Sequence, residues 1–125
     1  MRKPFDIRER SFLFALDVVK FSQIVAERGW IMSRLATQLV DAGGSVGANL
    51  QEAEAGQTKP DFITKNCTAL KEAREAHFWL RLIAAAEPSL GVRAAPLISE
   101  ASELISIVYA IVKTARSNNE RGREP

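Results

Sequence analysis

One cysteine and one histidine are all that the 125 residues offer of two side chains that commonly bind transition metals. Cys67 alone permits no internal disulfide and no multi-cysteine zinc site, which points to a reducing cytoplasm. His77 stands without a Glu-x-x-His partner, so the motif of a di-iron bundle is missing and no metal or other cofactor is expected. No stretch alternates apolar and polar residues with the period of two that marks a strand. Internal repeats and low-complexity segments are also lacking. No apolar run approaches the roughly 20 residues that span a bilayer. The opening MRKPFDIRERSF has acids and arginines where a signal peptide needs an apolar core. A soluble cytoplasmic protein is the expectation.

Charge of one sign is scarce too. Lys and Arg number 17 against 15 acids, a net charge of +2, and the pI is about 8.9. That falls short of the pI above about 9 that marks a strong nucleic-acid footprint. Residues 1–10 alone account for the excess, with Arg2, Lys3, Arg8 and Arg10 against Asp6 and Glu9. This arm is the first candidate for contact with phosphates, with Arg34 and Lys59 scattered beyond it.

What is present in abundance is helical periodicity. Phe14, Val18, Phe21 and Val25 recur four and three apart, with Leu13, Leu16 and Ile24 widening the stripe. Leu35, Leu39, Ala42 and Val46 continue the pattern after Gly29. Thr58, Pro60 and Asp61 form a helix start: a cap, a proline in the first turn and an acid near the positive end. Phe62, Asn66, Ala69, Ala73, Ala76, Leu80 and Ile83 follow, and then Leu97, Ala101, Leu104, Val108, Ile111 and Ala115. These spacings predict one all-α domain over about 1–117, with helices near 7–28, 31–54, 59–87 and 94–116 and a flexible polar tail over 118–125. Short connections between four amphipathic helices predict an up-down-up-down antiparallel four-helix bundle.

Gly43-Gly44-Ser45-Val46-Gly47 spells G-x-S-x-G, the pattern of a hydrolase nucleophile elbow. An elbow needs a strand before the serine, and a histidine and an acid placed by a sheet. This sequence predicts no sheet, and no Gly-Lys-Ser/Thr follows to make a phosphate-binding loop. Close packing of helices is the remaining reading. Each glycine costs about 1 kcal/mol against alanine in a helix interior. Gly43, Gly44 and Gly47 therefore need an offsetting gain, which close approach of a neighbouring helix would supply; a local kink near Gly43-Gly44 is the alternative. No catalytic residue is assigned, and no enzyme is expected.

Two further features lie on the middle helices. Gln38, Asp41, Ser45, Asn49 and Glu52 share one face and read as a solvated surface, a satisfied polar network or a ligand-facing stripe. Phe78, Trp79 and Leu82 lie away from the Ala73–Ala76–Leu80 stripe and read as a subunit interface. Arg74 and Arg81 flank Phe78, so the same patch suits the bases of a single strand.

The run QLVDAGGSVGANLQEAEAGQTKPDFITKNCTALKEAREAHFWLRL resembles the centre of the 23S rRNA intervening-sequence protein family, also called four-helix-bundle proteins. Ser45-Val46-x-x-Asn49-Leu50-x-Glu52-Ala53 matches the hallmark of its second helix, and DFITKNCTALKEARE with Trp79-Leu80 matches the third. The resemblance covers about residues 10–115. It implies a small bacterial cytoplasmic bundle without enzymatic activity that forms a ring-like homo-oligomer, characteristically a pentamer. Relatives lie within rRNA intervening sequences, and a cousin binds nucleic acid as an accessory factor of retroelements. Val40-Asp41 stands where relatives often carry basic residues before the hallmark serine. The resulting expectation is a homo-oligomeric scaffold or accessory factor touching RNA or single-stranded DNA weakly. A protein–protein adaptor without nucleic-acid binding is the alternative, and no membrane partner is expected.

Overall fold

The structure is a computed structural model and describes residues 6–56 and 58–121, with side chains through Asn118. Among the described residues the elements are α1 (Ile7–Ala26), α2 (Trp30–Ala55), α3 (Lys59–Ala86) and α4 (Gly91–Arg121). A single 3-10 turn, Pro88–Leu90, precedes α4, and the described residues contain no strand. The helices pack side by side in the manner of a bundle: α1 on α2, α2 on α3, α3 on α4, and α4 back on α1.

Local chemistry sets the helix ends. The Asp6 carboxylate accepts from the Arg8 backbone N–H at 2.9 Å and caps α1. Gly29 lies between α1 and α2 at φ 120°, a left-handed conformation that a side chain would strain. Thr58 accepts from the Asp61 N–H at 3.2 Å, with Pro60 in the first turn of α3 where its missing N–H costs nothing.

The inner stripes build two apolar clusters. The larger joins Phe14, Val18 and Phe21 to Leu39, Leu80, Ile83 and Leu104. The smaller joins Val46 and Leu50 to Ala69, Leu70, Ala73, Val108 and Val112. Leu13 and Leu16 do not widen the α1 stripe; they are 38% and 40% exposed, because the core-facing arc of α1 is narrower than their hydrophobicity implies. In α4 the buried position is Val112 rather than Ile111, since the step after Val108 is four residues and not three. That helix also begins at Gly91, three residues before the expected start, so Pro96 falls in its second turn rather than its first. It runs on to Arg121, beyond the expected boundary of the bundle near 117. Polar Ser117 and Asn118 lower helix propensity by only tenths of a kcal/mol and do not break a helix as Gly or Pro would.

By length and composition α4 is apolar enough to cross a membrane, contrary to the expectation of no such run. Its apolar stripe is instead the one that closes both clusters.

Candidate functional site

The glycines of α2 fall into two classes. A Cβ on Gly43 would stand 2.9 Å from Val18 Cγ1, and one on Gly47 would stand 3.4 Å from Ser11 Oγ. Both are buried on the α1 side. Gly44, grouped with them on sequence, meets nothing within 4 Å and is exposed, so close packing does not account for it. It sits about 100° around the helix from Gly43, which turns it away from α1.

Ser45 between them lies inside a helix and donates to the Asp41 carbonyl at 2.8 Å, a bond that ties it to its own helix. Asn49 Nδ2 donates in turn to the Ser45 carbonyl at 2.8 Å. Glu52 reaches α3 through an ion pair with Lys65 at 2.8 Å. Gln38, Asp41 and Glu52 are exposed, while Ser45 and Asn49 are half-buried. The polar stripe is therefore a surface ladder whose inner members bond to local backbone. Among the described residues no group of His, Cys, Asp and Glu is arranged to hold a metal ion.

Of the basic arm, the two described arginines are both paired. Arg8 pairs with Asp6 at 3.2 Å, and this guanidinium holds the Asp6 carboxyl below its usual range. Arg10 pairs with Glu100 at 2.7 Å and with Glu103 at 2.9 Å, with its side chain only 14% exposed. It joins α1 to α4 and has no free face for a phosphate. Arg2 and Lys3 lie outside the described residues.

The three aromatic-patch residues separate as well. Phe78 is 54% and Leu82 38% exposed. Trp79 instead packs its half-buried ring against the larger cluster and donates from Nε1 to Glu75 at 3.4 Å. The Phe78 and Trp79 rings meet edge to face with centroids 5.1 Å apart. Sequence reasoning missed Phe12, Leu16 and Val19, an outward apolar row on α1. Their four-three spacing was the available signal, hidden beside the equally apolar inner stripe.

A groove of about 540 Å³ between α3 and α4 was also missed. Cys67, Lys71 and Arg74 line one wall; Tyr109, Lys113 and Arg116 line the other. Both rows run four then three residues apart, so each forms one helix face. Arg116 Nη2 donates across the groove to Cys67 Sγ at 3.3 Å. The α3 carboxylate Glu72 is pushed above its usual range by burial, then by Glu75, with Asp41 of α2 contributing.

Against this geometry, the model of the 23S rRNA-intervening sequence protein family matches residues 3–110. The chain belongs to that family. A crystal structure of a protein of unknown function from the S23 ribosomal protein family of Bacteroides thetaiotaomicron is similar in fold, with a TM-score of 0.79. It is 28% identical, and the match covers 86% of this chain and 99% of that one. No curated protein matches the chain. For this member of the intervening-sequence protein family, neither comparison indicates an enzyme.

Proposed function

We propose that this family member is a non-enzymatic four-helix bundle that assembles with copies of itself in the cytoplasm and holds single-stranded nucleic acid weakly. Its successive helices reverse direction, up-down-up-down. This topology is supported by the sharing of one cluster by Val25, Met32, Ile83 and Leu90, near the ends and starts that meet at one side of the bundle.

The observation that carries assembly is large apolar surface left outside a filled core. Phe78 and Leu82 on α3, and Phe12 and Leu16 on α1, are each 38% exposed or more. Two separate faces of this kind suit a ring, in which each subunit offers one face to each neighbour. A pentamer is the ring that the family resemblance implies. Ring assembly also multiplies any weak cationic site by the number of subunits.

Light scattering tests this directly. Wild type is expected to run as one oligomer at micromolar concentration. The double change Phe78→Asp, Leu82→Asp is expected to give smaller particles with helical circular dichroism intact. A clean wild-type monomer overturns the assembly reading.

A further inference from the structure

The groove between α3 and α4 collects Lys71, Arg74, Lys113 and Arg116 around a floor of Leu70 and Val112, and no carboxylate among the described residues lines it. Like charges three residues apart on one helix cost stability rather than add to it. Here two such pairs, 71/74 and 113/116, face one another across the same groove. None of the four cations makes a salt bridge among the described residues. Relief from the carboxylates of α3 is partial. Lys71 offsets some of the burial of Glu72, which also feels Glu75 and Asp41 of α2, and Glu75 accepts from Trp79. Tyr109 stands at one end of the groove, 51% exposed.

We infer that this groove is the binding site for single-stranded nucleic acid, with phosphates on the four cations and an unstacked base on the Tyr109 ring. The inference rests on the nucleic-acid part of the proposed function and gives it a location other than the N-terminal arm. From Tyr109 to Arg116 the helix rises roughly 10 Å. At about 3.4 Å per phosphate along a stacked strand, that leaves room for about three phosphates. A ring face is sequence-tolerant because every base offers a π-surface. A duplex keeps its bases stacked and cannot use Tyr109, which favours the single strand.

The probe is a fluorescent single-stranded U-rich 12-mer RNA, read by anisotropy at 50 and 200 mM salt, beside a duplex of the same length. About three single-strand contacts give a logarithmic salt slope near −2, or roughly fifteen- to twentyfold weaker binding at the higher salt. Lys113→Gln with Arg116→Gln is expected to weaken binding and to flatten the slope by about 1.4. Tyr109→Ala is expected to cost about fivefold or more, while Tyr109→Phe keeps wild-type affinity. The charge-matched pair Lys20→Gln, Arg93→Gln lies off the groove and is expected to leave affinity within twofold. Circular dichroism and light scattering check that each variant keeps wild-type fold and mass. Equal losses in both charge pairs, or tighter binding of the duplex, overturn the groove assignment alone. A change of mass in the Lys113, Arg116 pair also overturns it, since the groove is then a subunit contact. No binding of any probe at 50 mM salt overturns the nucleic-acid reading along with it.

Discussion

Gly43 of α2 faces Val18 of α1 so closely that a methyl group in place of its hydrogen would stand 2.9 Å from Val18 Cγ1. A β-branched side chain has little rotamer freedom with which to yield. The helices themselves must part to admit the methyl group.

Three alanine substitutions along one helix should consequently differ in sign. Gly43→Ala should destabilise by about 1–3 kcal/mol through overpacking. Gly44→Ala, in open space, should stabilise by up to about 1 kcal/mol through helix propensity. Gly47→Ala reaches ordinary contact with Ser11 and should stay within about 1 kcal/mol of wild type. Gly47→Leu should cost a few kcal/mol. Urea titrations of the series measure this; a destabilised Gly44→Ala would contradict the placement of that residue.

Arg10 should matter for stability more than for binding. It holds two oxygens of Glu100 at 2.7 and 2.8 Å in a fork geometry. Arg10→Gln should cost about 1.5–3 kcal/mol, the range for hydrogen bonds to charged groups. Arg10→Lys should recover only part of that, because an ammonium cannot reproduce the fork. Glu103→Gln should cost under about 1 kcal/mol, since that carboxylate is 50% exposed.

Two carboxylates give opposite pH signatures. The Asp6 carboxyl is held low in the fold, first by its side-chain bond with Arg8 and then by the Arg8 backbone N–H. The folded state therefore binds its proton less readily than the unfolded state. The resulting stabilisation is present above the unfolded value near 3.8 and is lost as pH falls through the lower folded value. Glu72 is raised by burial and by Glu75, so its charge opposes folding at neutral pH. Glu72→Gln should stabilise near pH 7, and that gain should fade as pH falls through the folded value towards 4.5. Melting curves of Asp6→Asn and Glu72→Gln from pH 7 to 3 should diverge from wild type in these opposite senses.

Adjacent aromatics should report on different properties. Trp79→Ala should lower the melting temperature, at a cost of about 2 kcal/mol for a half-buried ring against the core. Phe78→Ala should leave the fold nearly as stable and weaken the proposed self-assembly. Calorimetry and concentration-dependent sedimentation separate the two effects.

Ser45 should resist fluorophosphonate labelling. Its hydroxyl is bonded to the Asp41 carbonyl of its own helix, and Ser45→Ala should change stability by less than about 1 kcal/mol. Intact-mass measurement after incubation with the reagent decides it.

The helices were legible because their stripes repeat over many turns, so a local ambiguity at Leu13 or Ile111 averages out. The cap at Thr58 was legible because capping chemistry is local. The choice of buried face was harder on α1, where Phe12, Leu16 and Val19 form a second apolar row as regular as Phe14, Val18 and Phe21. Periodicity cannot rank two such rows; the partner helices do that. The pairing of Arg10 with Glu100 spans 90 residues and left no local trace. The cationic groove escaped for the same reason, since its walls are two ordinary helix faces until α3 and α4 are laid together.

The unequal lengths of the helices bear on how the molecule breathes. Twenty residues make α1, against 31 for α4, roughly 30 Å against 46 Å of helix. The smaller cluster is consequently a three-helix assembly of α2, α3 and α4, touched among the described apolar residues of α1 only by Ile7. Peeling α1 away would open the larger cluster and leave the smaller one shut. Amide protons around Val108 and Val112 should then outlast those of α1 in deuterium, as a separately closing unit within one chain.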